Sequence, residues 1–62
     1  MDRDYKIVTV YKDGDVQESG GCKKVSMQMF SNSCADKHAV FVIMFEDKLD
    51  GTGYHLYQSW TK

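Results

Sequence analysis

The chain has no proline, and its longest uninterrupted apolar run is the seven residues Ala39-Val-Phe-Val-Ile-Met-Phe45. Seven is too few for a membrane span, which needs about 20. The N-terminus, Met1-Asp-Arg-Asp-Tyr-Lys6, is charged and leads into no apolar segment of the kind a secretory signal carries. Charge of one sign is lacking too: eight basic residues stand against nine acidic, a formal net charge of −1. Broad binding to phosphate backbones wants a clear basic excess, and mimicry of DNA wants a large acidic one. Cysteine is scarce, with Cys22 and Cys34 twelve positions apart. A disulfide closing that loop would contribute about 3 kcal/mol, but nothing in the sequence indicates an oxidising compartment. Two reduced thiols in a cytoplasmic protein are the expectation.

Catalytic signatures are also missing. There is no Gly-x-Ser-x-Gly, no phosphate-binding glycine loop and no paired His-Glu motif. Ser19-Gly-Gly-Cys22 sets a thiol after glycines, but a nucleophilic thiol needs a neighbouring base, and the spacing brings neither His38 nor His55 to a cysteine. A structural zinc site clusters its ligands in close pairs, whereas the two cysteines are twelve apart and the two histidines seventeen. The segment Asp47-Lys-Leu-Asp-Gly-Thr-Gly-Tyr54 lacks the alternate acidic ligands and closing glutamate of a calcium loop. It reads as a turn whose glycines supply positive φ. Neither a cofactor nor a metal is expected, and the chain reads as no enzyme.

What is present is strand-like. Sixty-two residues make one domain, residues 1–62, with 42% apolar and 27% charged residues. A chain this short buries only about 60% of its unfolded surface. Tyr5 to Tyr11 is rich in β-branched and aromatic residues, and Asp13-Gly14 after it is a hairpin signal. A two-residue turn there sets Lys12 opposite Asp15, Tyr11 opposite Val16 and Thr9 opposite Glu18. In residues 22–30, Val25, Met27 and Met29 alternate with Ser26 and Gln28, which favours a strand. Methionine, lysine and glutamine are good helix formers, so a helix over 22–35 is the alternative.

The last 24 residues pair Ala39–Phe45 with Tyr54–Trp60 across a glycine-containing loop. If Phe45 faces Tyr54, then Ile43 lies by Leu56, Phe41 by Gln58 and Ala39 by Trp60, an apolar face expected to be core. The opposite face then carries Val40, Val42 and Met44 beside His55, Tyr57 and Ser59. A slip of one residue exchanges the two faces. The second face has the Tyr- and Met-rich texture of a recognition surface.

The expected fold is therefore all-β, a small antiparallel meander or barrel of four to five strands. The alternative is α+β, with residues 22–35 as a helix on a four-stranded antiparallel sheet. The expected function is a non-enzymatic protein-binding module or inhibitor whose partner-binding residues are Val42, Met44, His55 and Tyr57. The size, the methionine and lysine content and the missing proline suit an accessory protein of a phage or mobile element. One alternative is a small β-barrel for single-stranded nucleic acid, using Tyr54, His55, Tyr57 and Trp60 with Lys12, Lys23, Lys24, Lys37 and Lys62. Another is a self-associating homo-oligomer, a homodimer in its simplest form, because so apolar a strand needs cover that so short a chain hardly has.

Overall fold

A computed structural model describes residues 4–62, so the charged start of the chain, residues 1–3, lies outside the described residues. The α+β alternative is the fold. Four strands, β1 (Tyr5–Tyr11), β2 (Val16–Gly21), β3 (Ala39–Asp47) and β4 (Tyr54–Thr61), form one antiparallel sheet in the order β2-β1-β3-β4. One helix, α1 (Lys23–Ala35), connects β2 to β3. Those two strands both run antiparallel to β1, which lies between them, so they are parallel to each other and α1 completes a split β-α-β unit. The sheet stays open instead of closing into a barrel.

The middle segment is a helix, and its interior stripe is partly polar. Ser26, Met29, Phe30, Ser33 and Cys34 fall at i, i+3, i+4, i+7 and i+8, one face of a helix. Ser26 is fully buried, and Met29, Phe30 and Cys34 pack against the core. The Ser33 hydroxyl accepts a hydrogen bond from Thr9 Oγ1 at 3.2 Å. Small hydroxyl residues let the helix approach the sheet closely while reading as surface residues in the sequence. The first turn closes with Ser26 N–H donating to the Cys22 carbonyl at 2.9 Å, and Ser26 Oγ donates to the Gly21 carbonyl at 3.4 Å. At the far end, Asp36 N–H donates to the Ser33 carbonyl, and the Asp36 carboxylate accepts the His38 N–H at 2.9 Å. That turn delivers the chain into β3.

The core lies between the sheet and α1. Tyr5, Ile7, Ala39, Val42 and Met44 are its buried apolar members, with Thr9 buried among them. Tyr11 and Trp60 pack around them.

Three irregularities set the register. The first hairpin turns through three residues, not two. Tyr11 N–H donates to the Asp15 carbonyl at 2.8 Å, Gly14 N–H donates to the Tyr11 carbonyl at 2.9 Å, and Gly14 takes φ +91°. This is the turn-plus-bulge hairpin in which a glycine occupies the left-handed position. It places Val10 against Val16, Thr9 against Gln17 and Val8 against Glu18, one residue off the two-residue expectation. Between Val10 and Tyr11 the β1–β3 register also shifts, leaving Val40 as the extra residue. A third shift, between Met44 and Phe45, leaves Tyr57 as the extra residue on β4.

Candidate docking face

Between the bulges, β1, β3 and β4 present two different faces. On the helix side, Ile7 pairs with Met44 and Thr9 with Val42, and beyond β3 Val42 pairs with Trp60 and Met44 with Gln58. On the other side, three rows cross all four strands: Val16-Val10-Phe41-Thr61, Glu18-Val8-Ile43-Ser59 and Gly20-Lys6-Phe45-Leu56. Asp47 and Tyr54 continue it at one end. No described residue of α1 reaches this side.

The four residues expected to bind a partner all lie on the helix side. Val42 and Met44 are 0% exposed and belong to the core, which corrects their expected place on an open surface. Met44 Sδ accepts a hydrogen bond from Gln58 Nε2 at 3.4 Å, and Met27 Sδ on α1 accepts another from the same nitrogen at 3.5 Å. The β4 bulge turns Tyr57 toward Tyr5, their rings edge to face with centroids 5.4 Å apart. Lys23 Nζ of α1 stands 5.8 Å from the Tyr57 ring centroid. His55 Nε2 lies 2.9 Å from Glu46 Oε1, and the Tyr5 hydroxyl donates to the other oxygen of the same carboxylate. Of the four, only His55 and Tyr57 keep accessible surface, at the end of the sheet where the helix starts.

Of the residues expected to form the core, Ala39 is buried there and Trp60 packs against it, while the rest of the apolar ones make the open face instead. Phe41, Ile43 and Phe45 are half-buried by their neighbours, as are Val8 and Val10. Leu56 is 60% exposed, Val16 55% and Tyr54 46%. Eight apolar side chains thus share one uncovered surface. The grouping of β3 residues from Phe41 to Phe45 follows the expectation while the choice of covered face is reversed, and the bulge at Val40 carries Ala39 to the helix side. The bulges also move Trp60 and Gln58 to the helix side and Ser59 to the open side.

The two charges within the three rows of the open face pair with each other. Lys6 Nζ lies 2.7 Å from Glu18 Oε1, and this hydrogen bond and charge hold the Lys6 ammonium above its ordinary pKa. Elsewhere the polar side chains serve turns. Asp13 Oδ1 accepts the Asp15 N–H at 2.9 Å, Asp47 Oδ1 the Leu49 N–H at 3.0 Å and Asp50 Oδ1 the Thr52 N–H at 3.0 Å. The Thr52 hydroxyl also donates to Asp50, and these bonds hold its carboxyl below the ordinary range. Among the described residues, no three of His, Cys, Asp and Glu gather as a metal site requires.

The thiols sit at opposite ends of α1, Cys22 exposed and Cys34 half-buried, and both are unbonded. Twelve residues of helix separate their Cα atoms by about 18 Å, far beyond the roughly 7 Å a disulfide tolerates. Of the rings and lysines considered for a nucleic-acid groove, Lys23 stands beside Tyr57, but the set as a whole is divided between the two sides. Tyr54 faces the open side and Trp60 the helix side, while Lys12 is in the first turn and Lys24 on the helix. No helix among the described residues is long and apolar enough to cross a membrane.

Fold and face together define a class: a two-layer α+β domain whose helix covers one side of a four-stranded sheet and leaves the other as an apolar surface. Compared with protein-family models, curated proteins and solved structures, the chain matches none.

Proposed function

We propose that this chain is a non-enzymatic protein-binding module that docks through the helix-free face of its sheet. The observation that carries the reading is the unbroken block of Val8, Val10, Val16, Phe41, Ile43, Phe45, Tyr54 and Leu56 on that face. Monomeric proteins rarely leave contiguous apolar patches larger than a few hundred Å². Phe45, Tyr54 and Leu56 are the anchors, because aromatic and large aliphatic side chains dominate the energetics of such contacts. The two unbonded thiols fit a reducing compartment, and we place the protein in the cytoplasm. An inhibitor's action follows if the partner surface that docks here is itself a working one.

The test is affinity capture with the tagged chain from nuclease-treated lysate, comparing wild type, Leu56→Glu and Tyr57→Ala. Wild type and Tyr57→Ala should retain one stoichiometric protein, the untagged chain itself counting as one. Leu56→Glu should lose it. Capture that survives Leu56→Glu, or that disappears on nuclease treatment alone, overturns the reading.

A further inference from the structure

Resting on that docking reading, we infer that the occupant of the open face is a second copy of this chain. The two sheets pack face to face about a twofold axis, with the helices on the outside. Three observations point to a copy of the chain itself.

Area comes first. Strands about 4.8 Å apart with about 3.4 Å of rise per residue make a face spanning four strands and three rows roughly 20 Å on a side. The overall extents of 35 × 20 × 15 Å accommodate such a face. Two of them in contact bury about 1,000 Å² once side-chain relief is counted, which reaches the threshold of a specific interface.

Charge is the second. The three rows of the face carry one cation and one anion, Lys6 and Glu18, already paired with each other at 2.7 Å, and Asp47 adds a second anion beyond them at the end of β3. Its three rows therefore offer no excess charge to attract a charged partner and meet little like-charge penalty against themselves. Glu18 is on the edge strand β2 and Lys6 on β1 in the last of the three rows, so Val8, Val10, Phe41 and Ile43 form an apolar centre on β1 and β3.

The third is the cover the fold needs. Among the described residues the core beneath α1 has five buried apolar members, and one of them is an alanine. Domains of this size rarely draw more than about 3–5 kcal/mol from a single core and often rely on oligomerisation. Sheets packed in an aligned sandwich interdigitate their inner side chains about 10 Å apart. Doing so here would bury Phe41, Ile43 and Phe45 with Val8 and Val10 and give each copy a second core. A twofold contact is also self-complementary by construction.

Sedimentation equilibrium and thermal melts of the full chain from about 1 to about 500 μM test this, because a dimer makes the melting temperature depend on concentration. The mass should climb from 7.1 kDa toward twice that value, with the melting temperature rising in step. Leu56→Glu and Val16→Lys, both at exposed positions, should each weaken self-association more than tenfold while circular dichroism shows the fold intact. Lys24→Glu, on the helix, should change nothing. A wild type that stays monomeric throughout overturns the proposal. If that monomer still captures a different protein in a Leu56-dependent way, the docking face stands and only the second copy falls. A dimer indifferent to both substitutions removes the face and its occupant together.

Discussion

Cys22 and Cys34 have the same side chain in opposite surroundings. Cys22 caps the start of α1 in the open, whereas Cys34 packs against the core, where burial pushes its thiol pKa up. Since the thiolate is the nucleophile, iodoacetamide at pH 8 should label Cys22 well before Cys34, as read by peptide mass spectrometry over time. Equal rates would mean that α1 does not hold Cys34 against the sheet. Backbone conformation governs two other positions. Leu49 has φ +64° at the tip of the β3–β4 loop, a region costing an ordinary L-residue about 1–2 kcal/mol. Asparagine tolerates it, so Leu49→Asn should raise the unfolding free energy by about 0.5–1 kcal/mol in urea titrations. Gly20 is constrained by space: a Cβ there would sit 2.3 Å from the Tyr5 carbonyl oxygen. Gly20→Ala should therefore push β2 away from β1 and cost about 1–3 kcal/mol.

At the scale of elements, the helix shows how much of this fold its sequence displays. The strands are legible because β-branched and aromatic residues mark them, and the sorting of Phe41, Ile43 and Phe45 away from Val42 and Met44 follows from a period of two. Which sorted face is covered depends on the covering element, and that element is disguised. Two of the five inward positions of α1 are serines, so a search for apolar period finds no clean stripe. The bulges at Val40 and Tyr57 have no marker in composition, yet each reassigns every residue beyond it to a new partner. The sites expected at Val42 and Met44 fail for the first reason. Phe45 pairs with Leu56 and not Tyr54, a register two residues from the expected one, and the bulge at Tyr57 then moves Trp60 and Gln58 to the other face. The serines lead to a direct test. Thr9 is 4% exposed and its hydroxyl donates to Ser33, so Ser33→Ala strands a buried polar group and should cost about 1–3 kcal/mol. Adding Thr9→Val removes the stranded hydroxyl at nearly constant shape, and the double variant should recover most of the loss. If the two costs simply add, the hydroxyls are not coupled and something other than this bond holds α1 in place.

For the whole molecule, the titrating groups with shifted pKa values define one pH window, and their signs can be followed individually. Cys34 is raised above the ordinary thiol value of 9.0 by burial, so its neutral form suits the fold. That contribution is intact below pH 9.0 and is lost as pH climbs through the raised value. Lys6 is raised above 10.5 by Glu18, so its share is likewise intact below 10.5 and lost at still higher pH. Asp50 is lowered below 3.8 by its bonds to Thr52, so its share is present above 3.8 and lost as pH falls through the depressed value. The alkaline share of these three groups should therefore begin to be lost near the thiol, before that of Lys6. Salt separates the alkaline contributions: at about 1 M the Debye length is near 3 Å, which screens the exposed Lys6–Glu18 pair but leaves the desolvation of Cys34 untouched. In melts at fixed protein concentration and high salt, the decline from pH 8 to pH 10 should persist in wild type and flatten in Cys34→Ser, whose hydroxyl does not titrate there. A decline unchanged by Cys34→Ser would move its origin off α1, since the Lys6–Glu18 pair on the open face keeps its share throughout this range.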